Sequence, residues 1–201
     1  MSLHSTYRHI GSEPAWQSAR QVSSCRLTPG ERVWLLDDGS LTARLSGLGE
    51  FQVRRLSQDW QFPLPSERRL LDQPTRQLAL VREVALLLDG KPVVFARSVF
   101  PHSSLTGKLA HLRRLKNQSL GAILFSDPAM QRSPFEVAWL EAGSDYLPAE
   151  LRQTGGTWGR RSRFTIEGRN LMVSEIFLRA FKPWPTSPGV HRSLRGRISA
   201  A

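Results

Sequence analysis

Two stretches of this chain follow the grammar of a tight β-hairpin, and together they dictate most of what it can fold into. LALVREVALLL and PVVFARSVF are runs rich in β-branched and apolar residues, separated by Asp89, Gly90 and Lys91. RSRFTI and NLMVSEIFL are separated in the same way by Glu167, Gly168 and Arg169. The glycine in each connection supplies the positive φ that a tight turn asks for. Around the hairpins the pattern changes period. Trp34, Leu35 and Leu36 suggest a helix that breaks at Asp38-Gly39, and Leu41, Leu45 and Leu48 suggest a second one entered through Ser40. A basic amphipathic helix is expected near Lys108 to Lys116, and another over Leu120 to Phe125, entered through Ser119. A Ser in that place caps a free amide of the first turn. EFQVRRLSQDW and FEVAWLEA read as further strands, and QFPLPSERRLLDQP, with Pro63, Pro65 and Pro74, as an irregular connection. The class is therefore α+β with antiparallel pairing, not the strand-helix alternation of a parallel sheet.

With 201 residues and 40% hydrophobic content the chain can bury a core as one domain without metal or disulfide staples. The expected division is a poorly patterned segment over 1–28, the domain over 29–182, and a tail over 183–201. That tail is rich in Pro, Ser, Gly and Arg and is expected to be disordered. No apolar run approaches the roughly 20 residues of a membrane span, and the first twenty residues have no signal-peptide pattern, so a cytoplasmic address is expected. The lone Cys25 fits a reducing compartment. The net charge of +11 favours anionic partners, which include small dianions as well as nucleic acid.

Common sources of chemistry are missing from the pattern. His4, His9, His102, His111 and His191 have no metal-ligand spacing, so no metal site is expected. There is no GxGxxG, no GxxxxGK[ST], no GxSxG elbow, and no zinc-finger or RNA-recognition signature, so no nucleic-acid partner is expected. What stands out instead is a charge on an apolar face of each hairpin. By the period of two, Leu171, Val173, Glu175 and Phe177 share one strand face, while Leu80, Arg82, Val84, Leu86 and Leu88 share another. Burying Glu175 or Arg82 alone would cost several kcal/mol, on the order of an unpaired buried charge. Periodicity leaves two readings open: the two residues pair with each other or reach water, or each meets a ligand. Glu83 is a further candidate partner for Arg82.

Taken in order, GSLTARL (Gly39 to Leu45), LVREVALLLDGKPVVFARSVFP (Leu80 to Pro101), SLGAILF (Ser119 to Phe125), WGRRSRF (Trp158 to Phe164) and LMVSEIFL (Leu171 to Leu178) resemble the chorismate pyruvate-lyase family. The resemblance covers about residues 30–182. It implies an antiparallel sheet with helices packed on it and an enclosed ligand pocket. It also implies a cytoplasmic monomer that needs no cofactor and converts chorismate to 4-hydroxybenzoate and pyruvate, the first step of ubiquinone synthesis. Carried over to matching positions, Arg82 would hold the ring carboxylate, Glu175 would contact the ring hydroxyl, and Leu41 and Leu120 would contribute backbone contacts. The family shows Met in some members where Leu41 stands, a change that leaves a main-chain contact intact. Glu175 would either exchange a proton near that hydroxyl or only orient it. Arg160, Arg161 and Arg163 are candidates for the second carboxylate of chorismate, with at least two of them expected to be a solvated face. A different class of protein, a sensor of small aromatic acids, shares the fold among transcription regulators. It would need an attached DNA-binding domain, for which the segment before Glu31 is too short.

Overall fold

The computed structural model describes residues 10–22 and 26–182; Cys25 and the tail 183–201 lie outside the described residues. One antiparallel sheet of eight strands forms the frame. In chain order the strands are β1 (Gln17–Ser18), β2 (Phe51–Gln61), β3 (Ala79–Leu88), β4 (Lys91–Pro101), β5 (Gln131–Arg132), β6 (Glu136–Leu140), β7 (Thr157–Ile166) and β8 (Arg169–Phe177). Their spatial order is β1-β6-β7-β8-β4-β3-β2, with β5 paired to β7 off that path. The helices are α1 (Pro29–Leu35), α2 (Leu41–Ser46), α3 (Pro65–Leu70) and α4 (Leu120–Ser126), joined by short 3-10 turns. Among the described residues no helix is long and apolar enough to cross a membrane.

Both hairpin connections are tighter than the sequence reading drew them. Leu88 pairs with Lys91 and Ile166 with Arg169, so each loop has only two residues. Asp89 and Gly90 have φ of 50° and 75°, and Glu167 and Gly168 have 49° and 74°. Positive φ at both central residues is the turn whose twist matches that of the strands it joins. These turns fix the register, and the register in turn decides which face each charge occupies.

Two further departures have simple causes. The proline-rich connection contains α3, because Pro65 opens the helix at a position whose missing N–H costs nothing, and the side chain of Glu67 accepts from the Leu64 amide at 2.9 Å. The basic helix near Lys108 is a 3-10 run over Gly107–Arg114. Its buried residues, Leu109 and Leu112, continue to buried Leu115 with a spacing of three, which suits three residues per turn and not 3.6.

Apolar side chains are buried on both faces of the sheet. Over one face, Leu86, Val94, Phe177 and Trp158 pack with α1 and α2 through Trp34, Leu35, Leu41 and Leu45, and Leu80, Phe100 and Phe164 pack with α4 and the 3-10 run. Under the other, Phe95, Ile176, Leu140, Tyr146 and Leu147 form a separate cluster. Strands buried on both faces explain why β3 reads as an almost unbroken apolar run.

Candidate active site

Between the two helical groups of the first face lies a cavity with about 540 Å³ of empty space, part of it continuous with solvent. Arg82, Val84 and Leu86 of β3, Ala96 and Ser98 of β4, and Val173 and Glu175 of β8 line its sheet side. Small residues on β4 make the floor: in register, Arg82 stands opposite Ser98, and Ala96 stands opposite Glu175. The two charged positions are thus two strands and two residues apart, about 12 Å between Cα atoms at ordinary strand spacings. They face one cavity and do not pair with each other.

Arg82 is 1% exposed. Its Nη2 donates to the carbonyls of Lys116 and Gln118, both at 2.9 Å, and its Nε has no hydrogen-bond partner among the described residues. Burial, and secondarily the like charge of Arg55, push the guanidinium down to about 10. The neighbouring carboxylate, Glu83, points to the other face and binds Arg97 at 2.9 Å. Arg82 is thus a buried cation with no carboxylate partner among the described residues.

Glu175 is partnered by Arg160, its direct cross-strand neighbour on β7. Arg160 Nε donates to Oε2 at 2.6 Å, leaving Oε1 with no hydrogen bond among the described residues. Arg160 Nη1 donates to the carbonyls of Trp34 at 2.8 Å and Asp37 at 2.9 Å, tying β7 to the end of α1. The three arginines of WGRRSRF therefore divide by the period of two. Arg160 enters the cavity. Arg161 lies on the opposite face with Glu136 at 2.6 Å, and Arg163 reaches Asp72 at 2.8 Å. The expectation that at least two are solvated needs correction, since Arg161 is buried and only Arg163 keeps substantial exposure. Cross-strand Glu136 and the Trp16 ring cover the Arg161 guanidinium.

Leu41 and Leu120 line the cavity from the first turns of α2 and α4. The Ser40 and Ser119 hydroxyls accept from the amides of Ala43 and Ala122, at 3.3 and 3.2 Å. The earlier amides of each first turn have no acceptor within the helix. The two helix starts are held together: Ser119 donates to the Thr42 hydroxyl at 2.9 Å, and a Cβ on Gly121 would come within 3.1 Å of that same oxygen.

One cavity residue escaped the sequence reading. Arg132, on β5, donates through Nε to the Ser162 hydroxyl at 3.1 Å and through Nη1 to the Asp38 carbonyl at 3.3 Å. Its Cζ stands 4.0 Å from the Phe135 ring and 4.9 Å from Phe164. Burial, then the like charge of Arg160, push it down to about 9, against the pull of Glu175, Asp37 and Asp38. A two-residue strand between turns, QR in AMQRSPF, has no periodicity to reveal which way it faces.

An antiparallel sheet covered by helices, with a cavity lined by three arginines and one glutamate between two helix starts, has a charge suited to a small anion. Solved structures with the same architecture include the C-terminal domain of the histidine utilization repressor from Pseudomonas syringae, with a TM-score of 0.51 and 13% identity, covering 75% of this chain and all of that one. The effector domain of PhnF from Mycobacterium smegmatis matches with a TM-score of 0.51 and 14% identity, covering 72% and 91%. At such identities the likeness is one of fold alone. The sequence goes further: residues 10–184 match the family model of chorismate lyase, and the chain belongs to that family. A probable chorismate pyruvate-lyase of Pseudomonas aeruginosa is 44% identical over 169 residues, 83% of this chain and 92% of that protein. Another, of an Azoarcus species, is 42% identical over 191 residues, 90% and 99% of the two chains.

Proposed function

We propose that this protein removes pyruvate from chorismate and leaves 4-hydroxybenzoate, acting as a cytoplasmic monomer in the first step of ubiquinone synthesis, without a metal or organic cofactor. The observation that carries this reading is the separation of Arg82 and Glu175 across one cavity, in a chain whose relatives bear the name chorismate pyruvate-lyase. A ring between them would place its carboxylate at the unpaired Arg82 and the first-turn amides of Leu41 and Leu120. Its hydroxyl would donate to Glu175 Oε1. A guanidinium and helix-start amides are a strong receptor for a desolvated carboxylate, at about 1.5–3 kcal/mol per charge-assisted bond.

The reaction breaks the C3–O bond of the enolpyruvyl ether and removes the hydrogen at C4. The departing oxygen keeps the electron pair, the enolpyruvyl group takes up a proton as it becomes pyruvate, and the ring gains aromaticity. That gain supplies much of the driving force, so the protein's task is to enclose the substrate, fix its ring and exclude water; positioning of this kind is worth roughly 7–11 kcal/mol. Glu175 fits the part of an orienting acceptor, since its Oε2 is already bonded to Arg160 and its Oε1 is left for the hydroxyl. The test is direct: incubating the purified protein with chorismate in the presence of chelator should yield 4-hydroxybenzoate and pyruvate in equal amounts. Well-folded protein that binds 4-hydroxybenzoate but turns over no chorismate would make it a sensor.

A further inference from the structure

Chorismate carries two carboxylates, and the residues assigned above hold one. The following step rests on the proposed function and concerns the other. Three guanidiniums, of Arg82, Arg132 and Arg160, and one carboxylate, of Glu175, line the cavity, leaving a surplus of two positive charges for a dianion. Arg82 accounts for one. Arg160 is largely committed, its Nε to Glu175 and its Nη1 to two backbone carbonyls. Arg132 has no ion pair among the described residues, and its Nη2 makes no hydrogen bond there. The Ser162 hydroxyl, the Asp38 carbonyl and the Phe135 ring fix the plane of its guanidinium, so little rotamer freedom is left to lose when a ligand arrives.

Position decides which carboxylate it meets. Ser162, which anchors Arg132, pairs across strands with Val173, two residues before Glu175. That pairing puts Ser162 in the row of Ser98 and Arg82 but three strands from Arg82 and one strand from Glu175, so Arg132 stands on the Glu175 side of the cavity, to one flank of the line from Arg82 to Glu175. In chorismate the enolpyruvyl arm leaves the ring at C3, next to the C4 hydroxyl and away from the carboxylate on C1. A ring held by Arg82 and Glu175 thus swings its arm toward Arg132. We infer that Arg132 is the receptor for the enolpyruvyl carboxylate, binding substrate but not the aromatic product. Because the arm departs as pyruvate, this contact is lost on turnover, and it distinguishes the two ligands by their charge.

The experiment compares two probes on the whole protein: 4-hydroxybenzoate, with one carboxylate, and 3-(1-carboxyvinyloxy)benzoate, a stable aromatic dianion carrying the same arm. Arg132→Gln should weaken the dianion by about 10- to 100-fold, the range of one charge-assisted contact, while 4-hydroxybenzoate affinity stays within about twofold. KM for chorismate should rise by a similar factor. Arg132→Lys, which keeps a charge but not the fork, should recover part of the dianion affinity and serves as the variant of record if the glutamine form does not fold. Equal weakening of both probes, or of neither, in a folded variant overturns the assignment. The two proposals fail separately. Wild-type protein that turns over no chorismate yet loses dianion affinity on Arg132→Gln would refute the lyase and keep the subsite. Turnover with an unchanged KM in the variant would do the reverse.

Discussion

On one face of the sheet Arg97 is buried between Glu67 and Glu83, at 2.8 and 2.9 Å; on the other, Arg82, Arg132 and Arg160 share a cavity with Glu175 alone. Burial works against the Arg97 charge, but the two carboxylates outweigh it and hold its pKa above the ordinary arginine value. Burial acts alike on Arg82 and Arg132, where no carboxylate answers it closely, and both are pushed down. The first arrangement is complete in itself. Nearby Tyr146 bonds Ser174 at 2.8 Å, and burial, then Glu67, push its hydroxyl up. The second arrangement holds cationic charge in a costly place for want of an anion. A buried charge with its partners supplied by the chain is complete in itself; one whose partners are missing is a candidate receptor.

The sharpest way to break this contrast is to remove an arginine from each face. Arg97→Met leaves two carboxylates buried without their cation, and should cost about 3–5 kcal/mol of stability. That is a fall in Tm of about 6–20 °C for a chain of this size, with turnover per folded molecule little changed. Arg82→Gln should behave in the opposite way. Affinity for 4-hydroxybenzoate should drop by about 10- to 100-fold in titration calorimetry, while Tm moves by no more than a few degrees. Adding 4-hydroxybenzoate should raise the Tm of the wild type and of Arg97→Met, but scarcely that of Arg82→Gln. If instead Arg82→Gln unfolds the protein and Arg97→Met abolishes ligand binding, the two faces have been assigned the wrong way round.

How much of this was legible beforehand depended on periodicity. Glu175 and Arg82 lie in long strands with an apolar face, so the period of two exposed them as misplaced charges, and the turns at Asp89-Gly90 and Glu167-Gly168 located both hairpins. Leu41 and Leu120 came from the family resemblance, with the capping serines before them as independent but weaker signs. Periodicity did not reveal that Glu175 is partnered by Arg160, because cross-strand pairing depends on the register between β7 and β8, which a two-residue turn sets only once its length is known. Arg132 was invisible because β5 is too short to have a period. The α3 helix was hidden by Pro65, a residue that reads as a breaker unless it is placed at the first helical turn.

Smaller effects sharpen the cavity side of the comparison. Glu175→Gln keeps an acceptor oxygen near the ring hydroxyl while removing the negative half of the Arg160 pair. An orienting role predicts that kcat falls by about tenfold or less, measured as pyruvate release. A loss of about 10²–10⁴ is the size of a general acid or base, and would transfer Glu175 from holding the hydroxyl to moving its proton.

The smallest effect is the response to alkali. A guanidinium whose folded pKa is depressed keeps its charge below that value and loses it as pH rises through it, so anion affinity should fail on the alkaline side only. Arg132 near 9 and Arg82 near 10 set the window. Chorismate remains a dianion throughout it, so KM should be flat from about pH 6 to 8 and rise by a few-fold toward pH 9.5, with the ligand's own ionisation playing no part. The same depression implies that folding is opposed by these charges below pH 9 and less so above it, so stability without ligand should not fall across that interval on their account. Bound anion should cancel this, since a carboxylate at each guanidinium keeps it charged as it is in the unfolded chain: protein saturated with the dianionic probe should hold its stability from pH 8 to 9.5, while its advantage over the free protein shrinks. A KM that instead rises on the acid side would point to a group that must be ionised as an anion, and the receptor would no longer be the arginines.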